Sequence, residues 1–284
     1  MTQKIIAFVD GSIYSASVCE HAAWVASRTG WGVEILHVLG RREGAATSDL
    51  SGSIALGART ALLEELAELD AQRARLVSHR GRAILEDARA IVDGAGVTEI
   101  TTRLRQGDIV DTLAQQEAGA ELVLIGKRGE AADFAKGHLG SNLERIVRAS
   151  HRPILVASRG FRPISRVLVA WDGAPSAMRA VDHIARSPLY QGLAVTVATV
   201  ASPTDGARKG LEDARAMLAA AGFEARTEIL SGQPETALGE LVVKAPYDLL
   251  VMGAYGHSRI RSLIIGSTTT ALLRSCKVPV VLVR

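Results

Sequence analysis

The residues best suited to chemistry lie between Asp248 and Ser275, in DLLVMGAYGHSRIRSLIIGSTTTALLRS. A short apolar run, Leu249 to Met252, leads into Gly253 and Gly256. Nine residues later come Gly266, Ser267, Thr268 and Thr269, and then the apolar Ala271, Leu272 and Leu273. The order reads as strand, glycine loop, hydroxyl cluster, helix start. Glycine lets a backbone approach an anion with no Cβ in the way. A helix N-terminus offers N–H groups that lack intrahelical partners, at the positive end of its dipole. Ser and Thr at that end cap the helix or bond to phosphate oxygens. The chemistry implied is the holding of a phosphate. On residue types alone, the alternative is a strand-to-helix connection with glycine turns and a Thr-capped helix. His257, Arg259 and Arg261 in the loop could offset phosphate charge, or could be solvated surface.

The elements that must position this stretch occur twice. Lys4 to Ser12, KIIAFVDGS, returns as Arg166 to Ala174, RVLVAWDGA, at an offset of 162. Val33 to Val38 returns as Val195 to Val200 at the same offset. Leu85, Gly140 and Pro153 return as Leu211, Gly266 and Pro279 at an offset of 126, so the first copy carries 36 extra residues between Val38 and Leu85. Each copy alternates apolar strands with apolar-periodic helices. The spacing predicts strands at 33–39 and 193–200, 97–104 and 224–230, 121–126 and 248–253, and 153–157 and 279–283. It predicts helices ending near Ala95 and Ala221, and others at 109–118 and 235–244. Such alternation builds a parallel sheet covered on both faces. Its ligands bind beyond the carboxyl ends of the strands, where strand order reverses. Asp10, Asp172 and both glycine loops all fall at carboxyl ends of predicted strands.

The first copy of the motif reads GKRGEAADFAKGHLGSNLERIVRAS. Gly126 and Gly129 keep the spacing, but ten residues rather than nine separate Gly129 from Gly140. Asn142 and Leu143 stand where the second copy has Thr268 and Thr269. The added residue leaves room for Gly140 to be carried away from phosphate reach, and Leu143 cannot donate to an oxygen. Lys127 and Arg128 could compensate. The second copy is therefore expected to carry the working site, and the first to be altered or kept as structure.

The pattern G-x2-G-x9-G-[S/T], met by Gly253, Gly256, Gly266 and Ser267, resembles the ATP-binding motif of the universal stress protein family. The neighbouring text VMGAYG and GSTTTALLRSCKVPVVLV is similar to that family as well. The resemblance covers nearly the whole chain and implies two such domains in tandem, 1–158 (with an insertion at about 41–84) and 163–284. It implies an α/β fold: two doubly wound domains, each a five-stranded parallel sheet flanked by helices, of the adenine nucleotide alpha hydrolase-like kind. Carried onto matching positions, it implies that Asp172 and Val200 line the adenine and ribose pocket, that Met252 and Gly253 meet the ribose-phosphate through the backbone, and that Gly256, Gly266, Ser267, Thr268 and Thr269 cradle phosphate. In the first copy Asp10 and Val38 match the base pocket, and Gly126, Gly129, Gly140 and Ser141 match the cradle. The implied ligand is ATP with a divalent cation such as magnesium, although AMP, a cyclic nucleotide or a dinucleotide fits the same motif. Members often pair through the last strand, here ILVA and VVLV, which would join the two halves of this chain or form a homodimer. For Asp172 the residue type equally supports an Asp-Gly turn or helix cap.

Composition narrows the remaining classes. The chain of 284 residues is 48% hydrophobic and 22% charged with a net charge of +3, as expected for globular domains. That mild balance, without a basic run and with only 4% aromatic residues, argues against nucleic acid. The two cysteines, Cys19 and Cys276, are far apart and set among apolar neighbours, so a disulfide framework is not expected. No apolar run is long enough for a membrane span, and the start lacks a signal-peptide pattern, so a cytoplasmic location is expected. No G-x4-G-K-[S/T], H-E-x-x-H or G-x-S-x-G pattern occurs, and the seven histidines show no ligand spacing. A nucleotide-binding regulatory or stress protein is thus expected, with no catalytic residues and no protein metal ligands assigned. At most it would be a slow ATP hydrolase. The alternatives are an interaction scaffold without nucleotide, or a weak ATPase or phosphoryl transferase. In the insertion, Leu62, Leu66, Leu69 and Leu76 share a helical face. They are expected to pack on their own domain, with a partner surface or a lid over the first site as the sharper possibility.

Overall fold

The computed structural model describes residues 3–40, 56–129, 139–254 and 266–284, with only the backbone of 56–61. Its strands are short, the inner ones mostly apolar and the edge strands β3 and β8 more polar: β1 (Lys4–Phe8), β2 (Gly32–Leu39), β3 (Ile100–Gln106), β4 (Ala120–Gly126), β5 (Ile154–Ala157), β6 (Arg166–Ala170), β7 (Ala194–Val200), β8 (Arg226–Leu230), β9 (Leu249–Gly253) and β10 (Val280–Val283). Strands apolar at every position need cover on both faces, and the helices supply it. These are α1 (Ser15–Thr29), α2 (Leu56–Gly94), α3 (Ile109–Gln116), α4 (Ser141–Ala149), α5 (Pro175–Arg186), α6 (Asp205–Ala220), α7 (Pro234–Lys244) and α8 (Ser267–Ser275), with a 3-10 turn at Pro188–Tyr190.

The strands form one ten-stranded sheet in the order β3-β2-β1-β4-β5-β10-β9-β6-β7-β8. Each half is parallel throughout, and the halves meet antiparallel through β5 and β10, with Val280 opposite Val156 and Leu282 opposite Ile154. Alternate residues of a strand face opposite ways. Ile5, Ala7 and Val9 therefore enter one core with α1, α2, α5 and α6, and Ile6 and Phe8 enter the other with α3, α4, α7 and α8.

Two expectations need correcting. The third strand starts at Ile100 rather than 97, because Val97 N–H still closes the end of α2 on the Val92 carbonyl at 3.4 Å. The leucines of the insertion do not pack on the domain as a stripe. Helix α2 is continuous over 39 residues, about 58 Å at 1.5 Å per residue, and an eight-residue strand spans only about 26 Å. Its inner turns bury Leu85, Ala88 and Val92, whereas Leu69 and Leu76 are 54% and 71% exposed.

The halves are also tied by side chains. Arg28 donates to the carbonyls of Leu189, at 2.7 Å, and Gln191. The Lys127 ammonium, buried, donates to the Cys276 carbonyl at the end of α8. The Arg284 guanidinium donates to the Arg148 carbonyl at 2.9 Å. Among the described residues no helix is long and apolar enough to cross a membrane.

Candidate functional site

Strand order reverses at β1, which lies between β2 and β4, and again at β6, which lies between β7 and β9. At such a point the connections leave toward opposite faces, and a crevice opens beyond the carboxyl ends of the strands. Asp10 follows β1. Its Oδ1 accepts from Ser12 N–H at 3.0 Å and from the Ser15 hydroxyl at 3.3 Å, and Ser15 Oγ accepts from Gly11 N–H at 3.0 Å. Asp172 repeats the arrangement, accepting from Ala174 N–H at 2.9 Å just before Pro175 opens α5. Each aspartate thus forms the turn that starts the next helix. Asp10 is half-buried and Asp172 is exposed.

In the first half the glycine loop comes back onto this turn. A Cβ on Gly129 would lie 2.8 Å from Asp10 Oδ2, so only a residue without a side chain lets the loop sit against the carboxylate. Gly140 N–H donates to the Lys127 carbonyl at 3.1 Å, so the added residue does not carry Gly140 away from the turn. Residues 130–138 lie outside the described residues. Gly140 is the N-cap of α4 and no side chain caps that helix. Its first-turn N–H groups are therefore left for solvent or a ligand. Leu143, in place of a hydroxyl, points into the core and is 1% exposed.

Asp10, Val38, Gly126, Gly129, Gly140 and Ser141 all line one cavity of roughly 1100 Å³, slightly above the roughly 300–1,000 Å³ common for small-molecule sites. The structure thus brings all six first-half residues together. It adds a wall the sequence reading did not assign: Arg73, Val77, Arg80 and Ile84 of α2. Their spacing of four, three and four places them on one helical face, a signal present in the sequence beside the more conspicuous leucine stripe. Arg128 and Arg145 complete the cationic lining. Arg145 is committed to Asp108 at 2.5 Å. Its guanidinium holds the Asp108 carboxyl below the usual carboxylate range, and Asp108 in turn caps α3 through Val110 N–H at 2.8 Å. His37 Nδ1 bonds to the Val9 carbonyl at 2.8 Å and lies on the same wall.

In the second half Asp172, Val200 and Met252–Gly253 stand at the carboxyl ends of the adjacent strands β6, β7 and β9. A Cβ on Gly253 would lie 2.6 Å from the Ser176 carbonyl carbon, so the glycine lets α5 pack on β9. Gly266 is the N-cap of α8, again with no side-chain cap. Ser267 is exposed, Thr268 is half-buried, and Thr269 is buried with its Oγ1 3.8 Å from where a Gly266 Cβ would lie. Gly256, with His257, Arg259 and Arg261, lies outside the described residues. No group of three or more His, Cys, Asp or Glu able to hold a metal occurs among the described residues.

The model of the universal stress protein family matches residues 1–158 and again 163–284. The chain belongs to the universal stress protein family. A relative from Synechocystis, itself called a universal stress protein, is 36% identical over 286 residues, covering 99% of this chain and all of the relative. A universal stress protein of Mycobacterium tuberculosis is 26% identical over 249 residues, 76% of this chain and 78% of that one. The crystal structure of a universal stress protein from Archaeoglobus fulgidus superposes with a TM-score of 0.75 at 21% identity, covering all of this chain and 99% of that chain. That likeness speaks for the fold, two α/β units each with a parallel sheet between helices.

Proposed function

We propose that this chain binds adenine nucleotide beyond the carboxyl ends of its central strands and acts as a regulatory protein in the stress response of its cell. The observation that carries the reading is the first-half crevice, where Asp10, the Gly126–Gly129 loop and the uncapped start of α4 surround one cavity. The parts suit the parts of a nucleotide. Val38 and Ile125 offer apolar surface to a base, and Asp10 offers acceptors to a ribose. Glycine backbone and helix N–H groups offer donors to phosphates. Asp172, Val200, Met252, Gly253, Gly266, Ser267, Thr268 and Thr269 make the corresponding second site. ATP is the proposed ligand, with magnesium held by the triphosphate and water rather than by a protein cluster. The carboxylate against the first glycine loop, Asp10, is engaged by Ser12 N–H and the Ser15 hydroxyl in the turn that starts α1, and binding rather than turnover is the proposed role. Occupancy would stabilise the seam between the halves and so be read by a partner or a second copy of the chain.

A second reading, an interaction module without nucleotide, is favoured by one observation: Leu63, Leu69 and Leu76 of α2 are about half exposed or more. One experiment separates the two. Protein purified without added nucleotide is denatured, and the released small molecules are identified by mass spectrometry beside the Gly266→Val and Gly129→Val proteins. Two nucleotides per chain in the wild type and one in each variant is the expected result. No release, together with no rise in melting temperature at millimolar ATP, overturns the nucleotide reading in favour of the second.

A further inference from the structure

The two halves close the same corner of the fold in different ways. In the first, α3 ends on its C-cap Glu117, and the carboxylate gathers the turn between α4 and β5. Glu117 Oε1 accepts from the Ser150 hydroxyl at 2.6 Å, from His151 N–H at 2.7 Å and from Arg152 N–H at 3.2 Å. The His151 ring bonds to Oε2 at 3.1 Å. One acidic side chain thus satisfies two backbone donors and a hydroxyl that the turn leaves open.

In the second half the corresponding turn, between α8 and β10, is Cys276, Lys277 and Val278, at the repeat offset of 126. Helix α7 ends there on Ala245, preceded by Val243 and Lys244, so no carboxylate stands at the helix end. Among the described residues the N–H groups of Lys277 and Val278 have no hydrogen-bond partner. A cavity of roughly 790 Å³ occupies this corner, and Ala245, Cys276, Lys277 and Val278 all line it.

The rest of the wall suits an organic anion. Arg159 and Arg162, in the segment that joins the halves, stand on it with Arg274 and Lys277. Among the described residues no carboxylate pairs with any of these four. Asp248, the carboxylate of the lining, is taken up by Ser165 N–H, the Ser165 hydroxyl and Arg166 N–H, each at 2.9 Å. The same wall carries apolar surface: Phe161, Tyr247 and Val243, which is 69% exposed. The cations offset the negative ends of α7 and α8, which would otherwise disfavour an anion there.

We infer that this corner binds a small organic acid, whose carboxylate takes the place that Glu117 fills in the first half and whose apolar body lies along Val243 and Tyr247. The carboxylate accepts from Lys277 and Val278 N–H and pairs with the guanidiniums, whose planar forks match its two oxygens. Because Arg159 and Arg162 belong to the joining segment, a bound acid ties that segment to the second half. The inference stands apart from the nucleotide reading, which concerns other cavities.

The test uses the full chain and one probe, octanoate, with octanamide as its uncharged counterpart of the same shape. Binding is measured by calorimetry for the wild type, for Ala245→Glu, which supplies a carboxylate from the helix end, and for Arg162→Ala/Lys277→Ala, both at exposed positions. One octanoate per chain is expected, bound at least about 10-fold tighter than octanamide, as for hydrogen bonds to a charged group. Ala245→Glu should abolish octanoate binding and leave the melting temperature at or above that of the wild type. The alanine pair should weaken octanoate roughly 10- to 100-fold on the same grounds, and it decides the question if Ala245→Glu does not fold. No binding of octanoate at millimolar concentration, or equal binding of the two probes, overturns the inference. So does binding that a folded Ala245→Glu chain retains, or that the alanine pair leaves untouched.

Discussion

The two halves of the sheet have the same strand order and the same aspartate turn after the first strand, yet they treat the helix after the second strand differently. In the second half α6 is 16 residues long and starts from a capping Thr204. In the first, α2 runs for 39 residues and walls the crevice with Arg73 and Arg80. A parallel sheet fixes what lies beneath a site, because strand order and register leave little freedom. The connections at the carboxyl ends are free to lengthen, and there the halves have diverged. Lys127 shows the same principle on a smaller scale. Its second-half counterpart, after Gly253 in place of Gly126, is the buried Ala254. At this position the first half sends a cation across the seam, to the Cys276 carbonyl, and the second half does not.

The largest expected effect tests whether equivalent positions behave equivalently. His21 and His183 are 162 residues apart, the offset of the repeat. Their rings pack edge-on against Phe161, at 5.0 Å, and Tyr190, at 5.4 Å. Burial lowers each from 6.5 to about 4, and the buried Nε2 of neither has a partner. Between those values the unfolded chain binds a proton that the folded chain refuses. Stability is full above pH 6.5 and falls toward pH 4, by about 1.4 kcal/mol per pH unit for each histidine. Urea denaturation at pH 7 and pH 5 should show the fall, and His21→Phe or His183→Phe should each remove about half of it. A slope abolished by one variant alone would break the equivalence.

A smaller effect separates glycines needed for packing from glycines needed for a ligand. A Cβ on Gly253 would meet the α5 backbone at 2.6 Å, and one on Gly266 meets nothing nearer than 3.8 Å. Gly253→Val should cost several kcal/mol, roughly 1–3 or more by the overpacking scale, and lower the melting temperature. Gly266→Val should leave stability within about 1 kcal/mol, the scale of a helix-cap change, while removing nucleotide from the second half. Equal melting temperatures for the two would show that the α5 contact at Gly253 yields without strain.

Lys127 sharpens the contrast further. Burial lowers its ammonium from 10.5 to about 8. Between pH 8 and 10.5 the unfolded chain holds a proton that the folded chain has lost, so stability should rise with pH by about 1.4 kcal/mol per unit. Lys127→Met should flatten that rise, and at pH 7 should change stability by only about 1 kcal/mol, because the Cys276 carbonyl loses its donor while a buried charge is removed. A wild-type profile flat over this range would mean that the ammonium is not desolvated. The smallest effect belongs to the outer turns of α2. Leu69→Glu/Leu76→Glu should change stability by less than about 0.5 kcal/mol, as at other exposed positions, and any loss greater than that would show that these leucines are covered.

Much of this was legible in the sequence, for reasons that differ by element. The apolar runs at Ile5–Phe8 and Val167–Val169 announce strands buried on both faces, and the double offset reveals the repeat and the insertion. Asp10 and Asp172 are readable because an Asp-Gly after a strand has few other uses. The boundary of β3 was misjudged because Val97 is apolar yet serves the end of α2. The leucine stripe was misread because amphipathic spacing shows which residues share a face, and not whether anything lies opposite it. Leu69 and Leu76 share a face with Leu62 and still look outward. The ten-residue gap of the first motif counts as an added residue in sequence, yet Gly140 N–H meets the Lys127 carbonyl, a contact that spacing alone does not encode.

The sequence by itself determined the strand and helix alternation, the duplication, the family and the residue types at the two crevices. These rest on local patterns, apolar period and glycine spacing, that survive without knowledge of contacts. Only the tertiary structure decided that Arg73 and Arg80 face Asp10 across one cavity, that Lys127 ends on the Cys276 carbonyl, and that His21 and His183 are both buried. Each of those joins residues separated by tens of residues in the chain or buries a group whose type favours exposure. Such placements are set by how the sheet and its helices close around a core, and no local spacing encodes them.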